Sequence, residues 1–406
     1  MGMKSVPYSG SGVERFPACI LFCLCYNKHM LKMFKYRMYP TKKQEKKLNE
    51  TLEECHWLYN HLLEMRKTAY ERDGILLTCF QQQSTFPVLK QERPALTIVH
   101  SQVMQNVAVR VDLAFKAFFR RVREHAQDPG YPRFKGKGRY DSFTFPQSGF
   151  SITHDERVCL SKIGSIKMVY HRKIRGKLKT CTVQRSSTGK WYVCFSCECE
   201  PLRLDPIATQ VGIDVGLKSF ASLSNGEEIA NPRFFRKEEQ ALAKVQRKHS
   251  KLAKGTPERR KHCKAVARVH ERIKFRRDNF THQESRQIVD RFGVIAVEDL
   301  HVNRMVHNHC LAKSIHDAAW SVFFSQLSNK AEEAGRQFIK VNPAYTSQDC
   351  SRCHHRQKMS LSERTYHCPC CLLEIDRDLN AAKNICGLGL QALGLSVEAP
   401  GFSRGE

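Results

Sequence analysis

Long apolar runs are missing from this chain. The longest, Ala18 to Tyr26, holds nine residues, far short of the roughly 20 needed to cross a bilayer. The run follows Arg15, but no small-residue cleavage site comes after it, which argues against a secretory leader. Acidic residues are scarce: 40 Asp and Glu stand against 67 Lys and Arg, a net charge of +27. Such an excess calls for a polyanionic partner, nucleic acid ahead of an acidic membrane surface. No repeat of 20 to 50 residues is present, which excludes solenoids and propellers. A regular cysteine framework is lacking as well. Of 18 cysteines, 14 lie outside one tight quartet and show no regular spacing, so a reduced cytoplasmic interior accounts for them better than disulfides. Cys194, Cys197 and Cys199 fall in the strand-like run Trp191 to Cys199 and are expected to be packing residues.

At 406 residues two or three domains are expected. From Met33, read as a start, Met-Phe-Lys-Tyr-Arg-Met-Tyr-Pro40 alternates like a strand. Thr41-x-x-Gln44 has capping-box form, and Leu48, Leu52, Cys55, Leu58, Leu62 and Met65 follow at helical spacing as far as Asp73-Gly74. A second helix is expected over 97 to 125. After Asp128-Pro-Gly130 the texture becomes short alternating runs, Ile163 to Val169, Lys179 to Gln184 and Trp191 to Cys199, as in a small β-domain. Asn225-Gly226 between strand-like runs suggests a type I′ hairpin.

Two basic stretches suit nucleic acid. Residues 131 to 143 interleave Arg133, Lys135, Lys137 and Arg139 with Tyr131, Phe134, Tyr140 and Phe143, offering phosphate contacts and stacking, with a solvated hairpin of ordinary aromatic packing as the alternative. Residues 236 to 278 carry 16 Lys and Arg against 5 Asp and Glu, a net +11, on a helical hairpin broken near Gly255-Thr-Pro257. So large an imbalance repels itself unless an anion neutralises it. Its candidate contacts are Lys248, Lys251, Arg272 and Arg276.

What remains is chemistry. Cys350-x-x-Cys353 and Cys368-x-x-Cys371, 14 residues apart, fit a structural zinc ion held by four thiolates. His354, His355, His367 and Cys370 are near enough to compete. Three acids sit in or beside apolar elements: Asp214 in Val211 to Val215, Glu298 at the end of Val294 to Val297, and Asp378 at the head of a helical run. Buried carboxylates are costly without compensation. A pair of Mg²⁺ ions about 4 Å apart would supply it and support phosphodiester hydrolysis.

Several motifs resemble the TnpB (OrfB) family of bacterial insertion sequences, compact relatives of type V CRISPR effectors. They are Gly212-Ile-Asp214-Val-Gly-Leu-Lys218, Ile295-Ala-Val-Glu298-Asp-Leu300, Tyr345-Thr-Ser-Gln-Asp-Cys350-Ser-Arg-Cys353 and Asp376-Arg-Asp378-Leu-Asn-Ala-Ala-Lys-Asn384, joined upstream by Lys35 to Pro40, Tyr59-Asn60 and Pro132 to Lys135. The resemblance implies an α/β multidomain protein. An RNase H-like (RuvC) nuclease domain would span 206–344 and 377–390, with a zinc-ribbon insert for target nucleic acid at 345–376. A β-barrel wedge domain would span 33–40 and 128–205, and a helical recognition domain 41–127. Residues 1–32 would be a disordered extension outside the family pattern and 391–406 a flexible tail. The resemblance also implies a guide RNA derived from the transposon end, a double-stranded DNA target beside a transposon-adjacent motif, and catalysis by Asp214, Glu298 and Asp378. Asp378 is preferred to Asp376 because it directly precedes the x-Asn-Ala-Ala run. Such a protein would work in the cytoplasm, on the nucleoid when bound to DNA. A nuclease-inactive, RNA-guided DNA-binding regulator on the same scaffold and an accessory transposition protein are the alternatives; a transposase performing strand transfer itself is disfavoured by the lack of a His-hydrophobic-His motif with a downstream tyrosine. In the family a glycine follows the second cysteine of each pair, whereas here His354 and Leu372 stand there. Strained or reshaped knuckles are therefore expected.

Overall fold

The computed structural model describes residues 29–395 apart from 306, 308, 361 and 362. Its N-terminal half is one antiparallel sheet with helices packed on it. Strands β1 (Met30–Tyr39), β2 (Ser142–Phe145), β3 (Phe150–Ile152), β4 (Arg157–Leu160), β5 (Gly164–Met168), β6 (Lys177–Arg185) and β7 (Trp191–Cys199) run in the order β2-β6-β7-β1-β5-β4-β3. The two edge strands, β2 and β3, are consecutive in the chain, and Phe145 and Phe150 bring their rings to 6.4 Å. The sheet therefore curls until its edges nearly meet, in a barrel-like form. Alternation places Phe34, Tyr36 and Met38 of β1 inside, as the period of two requires.

Between β1 and β2 lie α1 (Lys42–Asp73), α2 (Cys79–Ser84), α3 (Phe86–Glu92), a 3₁₀ turn (Pro94–Ile98) and α4 (Ser101–Arg123). The Thr41–Gln44 capping box starts α1, and Gly74 at φ 65° ends it, the left-handed cap that favours glycine. The helix expected from residue 97 begins later. His100 accepts from the Gln102 N–H as N-cap, and the chain before it is the 3₁₀ turn. Helices α2 and α3 were not expected. The Leu48, Leu52, Leu58 and Leu62 stripe of α1 and the Val103, Val107 and Val111 stripe of α4 share one core with the barrel. A division at residues 40 and 127 thus separates elements without separating cores.

Two expected boundaries move. Strand β1 starts at Met30 and pairs Met30, Leu31 and Lys32 with Cys199, Glu198 and Cys197. Residues 30–32 therefore belong to the sheet and not to a disordered leader; residues 1–28 lie outside the described ones. At the other end a helix continues to Ala392, two residues into the expected tail, and residues from 396 lie outside.

The second half is built on β8 (Gln210–Val215), β9 (Ser219–Leu223), β10 (Glu228–Ala230), β11 (Val294–Glu298) and β12 (Gln337–Val341), ordered β10-β9-β8-β11-β12. Strands β8, β11 and β12 are parallel, while β9 and β10 are antiparallel additions. The β9–β10 turn is not type I′. Gly226 alone has positive φ, 94°, and its N–H donates to Leu223, so a type I turn ends in a left-handed glycine. Helices α5 (Phe234–Ser250) and α6 (Pro257–Arg291) form the basic hairpin. The helices α7 (Val302–Met305), α8 (His309–Ala318) and α9 (Trp320–Ala334) follow, then β13 (Thr365–His367), β14 (Glu374–Asp376) and α10 (Arg377–Ala392). Residues of α6, α8 and α9 bury against the sheet around Phe220, Phe323 and Trp320. Glu333 of α9 joins the halves through ion pairs with Lys32 and Arg175. No helix of the described residues is long and apolar enough to cross a membrane.

Candidate active site and adjoining cysteine ribbon

The three acids enter from three elements that α10 draws together. Asp214 lies on β8, Glu298 ends the neighbouring β11, and Asp378 is in the first turn of α10. Helix α10 can lie this close because Gly212 has no side chain. A Cβ there would meet the Ala382 carbonyl oxygen at 2.1 Å and the Cys386 nitrogen at 2.5 Å. Gly389 likewise admits Ala296 of β11, whose Cβ would be 2.5 Å from an added methyl. Ala382 follows Asp378 by about one helical turn, and Gly212 precedes Asp214 by two residues on the same strand face. The glycine contact thus sets the two carboxylates side by side.

Burial raises the Asp214 carboxyl well above its usual value, and the nearby Glu298 and Asp378 push it further, partly opposed by Arg377. Glu298, 8% exposed, is raised by burial and eased by the Thr346 hydroxyl, which donates to its Oε1 at 2.6 Å. Arg377 places Nε and one terminal nitrogen on Asp378 Oδ1 at 3.1 and 3.0 Å. Asp376 has a different job: its Oδ1 accepts from the backbone N–H groups of Asp378 and Leu379 at 2.8 and 3.1 Å. It is the helix N-cap. A mutually repelling, desolvated set of carboxylates of this kind favours bound cations.

Immediately before α10, Cys350, Cys353, Cys368 and Cys371 place their sulfurs within 4.8 Å of one another, the single such group of metal-ligating atoms among the described residues. Cys350–Cys371 and Cys353–Cys368 are each 3.5 Å apart, near the edge of about 3.8 Å that a tetrahedron with 2.3 Å Zn–S bonds requires. Burial opposes ionisation of Cys350, Cys368 and Cys371. At Cys368 the backbone N–H groups of Cys371 and Cys370 win and bring the thiol to about 6. Cys371, partly desolvated and crowded by its neighbours, is pushed up to about 12. Four sulfurs so close ionise together only around a cation, and these residues could hold a metal such as zinc. His354, His355, His367 and Cys370 are not in the group; Cys194, Cys197 and Cys199 are buried in β7.

The missing glycines do not reshape the knuckles. His354 and Leu372 adopt φ of 60° and 55°, the left-handed conformation that costs a side-chain-bearing residue about 1–2 kcal/mol. Both knuckles keep the same pattern. His354 N–H donates to Cys350 and Leu372 N–H to Cys368, both at 3.0 Å; Cys350 N–H donates to His355 and Cys368 N–H to Leu373 at 3.0 and 2.9 Å.

Sequence reasoning missed the residues that bind ribbon to helix. Asn380 Nδ2 donates to the Asp349 carbonyl at 2.8 Å, while its Oδ1 accepts from Ser351 N–H at 2.9 Å. Asn384 Nδ2 donates to the carbonyls of Thr346 and Asp349 at 2.8 and 2.7 Å. Their i, i+4 spacing puts both on one helix face, a signal present in the Asn-Ala-Ala-Lys-Asn run.

The candidate nucleic-acid contacts divide. Arg133, Lys135, Lys137 and Arg139 are exposed on the loop between α4 and β2. That loop is pinned by Asn60, which accepts from Lys135 N–H at 2.8 Å and donates to its carbonyl at 3.0 Å. Tyr131 and Phe134 stay exposed, but Tyr140 and Phe143 are buried in the core and cannot stack on bases. Lys248 and Lys251 are exposed at the end of α5. Arg272 and Arg276 instead bind Glu238 at 3.2 and 2.9 Å, so they clamp the hairpin and have part of their charge neutralised.

Three family models match this chain: "Helix-turn-helix domain" over residues 30–74, "Probable transposase" of the OrfB type over 194–309, and "Cas12f1-like, TNB domain" over 320–385. The first covers, in this structure, strand β1 and the single helix α1. A "Putative RNA-guided DNA endonuclease" of Streptomyces pristinaespiralis is 33% identical over 366 residues, 88% of this chain and 89% of the relative. "Putative RNA-guided DNA endonuclease InsQ" of Escherichia coli K12 is 29% identical over 378 residues, 88% and 92% of the two chains. Among solved structures, that of a Cas12f1-sgRNA-target DNA complex matches with a TM-score of 0.56 at 14% identity, covering 89% of this chain and 99% of that one. The mini-RNA-guided endonuclease CRISPR-Cas_phi3 matches at 0.54 and 8% identity, covering 92% and 94%. The chain belongs to the TnpB (OrfB) family, related to the type V CRISPR effectors.

Proposed function

We propose that this protein is an RNA-guided DNA endonuclease of a transposable element, cutting DNA beside a short transposon-adjacent motif. The observation that carries the reading is the convergence of Asp214, Glu298 and Asp378 on the β8–β11–α10 junction, where Asp214 is held far above its usual pKa by burial and by its neighbours. We read the five-stranded sheet as an RNase H-like (RuvC) nuclease domain and the cysteine ribbon as its zinc-bearing insert for target nucleic acid. The barrel serves as wedge and α1–α4 as recognition helices. Two Mg²⁺ ions bound there would neutralise the acids, activate water and stabilise the leaving oxygen. The chain's own part is to fix the three carboxylates, exclude bulk water by burial, and present the cationic loop and hairpin to RNA and DNA backbones. Sequence is then read by pairing between a guide RNA, derived from the transposon end, and the target strand.

The test is Asp378→Ala in the complex of protein and guide RNA. Cleavage should fall at least about 10³-fold, the scale of several kcal/mol of lost transition-state stabilisation, with guide and target binding within about twofold of wild type. Equal cleavage by the variant would contradict the assignment. A wild type that binds its target but never cuts it would favour the regulator.

A further inference from the structure

The chain between β12 and the first cysteine is fixed from both sides. On the ribbon side, Arg356 makes a two-pronged ion pair with Asp349 at 2.6 and 3.0 Å and lies over the Tyr345 ring at 3.7 Å. Tyr366 donates its hydroxyl to the carbonyls of Gln348 and His355 at 3.1 and 3.2 Å. On the helix side, Asn380 and Asn384 take the carbonyls of Asp349 and Thr346. Tyr345 is held at φ 67°, unusual for an aromatic residue. Thr346 is at the centre of this bridge and is 5% exposed. Its carbonyl belongs to Asn384, and its hydroxyl meets Glu298 Oε1 at 2.6 Å, with the Pro343 carbonyl a longer second partner at 3.2 Å. Held at its backbone and stiff at its branched Cβ, it has little freedom to follow Glu298. Glu298, on a flexible side chain, must follow it.

We propose that Thr346 is a positioning residue that fixes the orientation of Glu298, and that through it the cysteine ribbon and the carboxylate centre form one mechanical unit. The inference rests on Glu298 being a ligand of the catalytic centre. It adds that the ribbon's root is part of that centre's scaffold, whatever nucleic acid the ribbon touches. Hydrogen-bond partners behind a metal ligand commonly change metal affinity 10- to 100-fold when lost.

The experiment is Mn²⁺ binding, followed by electron paramagnetic resonance, to the complex of full-length protein and guide RNA. It compares wild type, Thr346→Val, Thr346→Ser and Asp378→Ala, with an unfolding curve for each. Thr346→Val keeps the shape and removes the hydroxyl; it should weaken the Asp378-dependent Mn²⁺ binding by roughly tenfold while unfolding near the wild-type temperature. Thr346→Ser, which restores the hydroxyl, should bind within about twofold of wild type even if the valine variant folds poorly. Unchanged binding by Thr346→Val, or equal losses in Thr346→Val and Thr346→Ser, overturns the proposal. So does a wild type with no Mn²⁺ binding sensitive to Asp378→Ala. A wild type that binds Mn²⁺ in this way, with the expected Thr346 pattern, but leaves guided DNA intact supports the positioning role and fails the nuclease reading alone.

Discussion

The cysteine ribbon draws its ligands from one short stretch, Cys350 to Cys371, and closes each knuckle with its own backbone hydrogen bonds. The carboxylate centre, a few residues further on, draws Asp214, Glu298 and Asp378 from two strands and a helix that meet only when the sheet has formed. The ribbon gathers its four sulfurs into one group, whereas burial opposes ionisation of Asp214 and Glu298, and neighbouring charge adds to it at Asp214. A local centre is organised by turns and a long-range one by close packing, so the same kind of substitution should act in opposite directions in the two.

The largest difference is expected on removing a ligand. With the proposed zinc held by the quartet, Cys350→Ser should unfold the ribbon, because structural zinc supplies about 10 kcal/mol or more of folding free energy in comparable small sites. Hydrogen exchange should show protection lost over residues 346–376 while β8 and β9 keep theirs; retained protection of the ribbon would break the comparison.

Next in size is Gly212→Ala. The methyl would collide with the backbone of α10, and overpacking of this kind costs about 1–3 kcal/mol. Denaturant unfolding should show the loss, with cleavage falling more than stability because Asp378 moves with the helix. An unaltered midpoint would mean that α10 is not held where described.

Asp214→Asn should go the other way. The Asp214 pKa is raised in the folded state, so the folded protein holds a proton that the unfolded chain has lost. Stability therefore declines as pH rises past the unfolded value of about 3.9 and levels off only above the folded one. Without divalent cations, the asparagine variant should be more stable than wild type by about 1 kcal/mol at pH 8, with the advantage shrinking toward pH 4. Thermal melts across that range would check it, and a variant less stable at pH 8 would refute the electrostatic account.

The smallest effects belong to the knuckle turns. His354→Gly and Leu372→Gly should each stabilise the zinc-loaded ribbon by up to about 1 kcal/mol, since relief of left-handed strain outweighs the added freedom of glycine in the unfolded chain. Competition with a chelator would measure it as slower zinc loss.

Sequence revealed most where structure is local. The capping box at Thr41, the strand Trp191 to Cys199, the basic hairpin and the cysteine quartet are all legible because their causes lie within a few residues. The type I turn at Gly226 was misread because Asn-Gly also fits a three-residue hairpin, and spacing alone does not count loop residues. Tyr140 and Phe143 were misread because periodicity cannot say which face of a basic, aromatic stretch meets the core. The link from Thr346 to Glu298 was invisible: it depends on β11, the bridge after β12 and α10 arriving together. Gly212 stood in the motif beside Asp214, but its reason, the closeness of α10, appears only in the packing.

The most direct measurement is to purify the protein with its bound RNA, sequence that RNA, and challenge the complex with plasmids carrying the matching target beside randomised flanks. Mg²⁺-dependent cutting only of matched targets, beside one short motif, and absent in Asp378→Ala, is what this account predicts. No cutting beside any flank, or cutting indifferent to the guide, would contradict it.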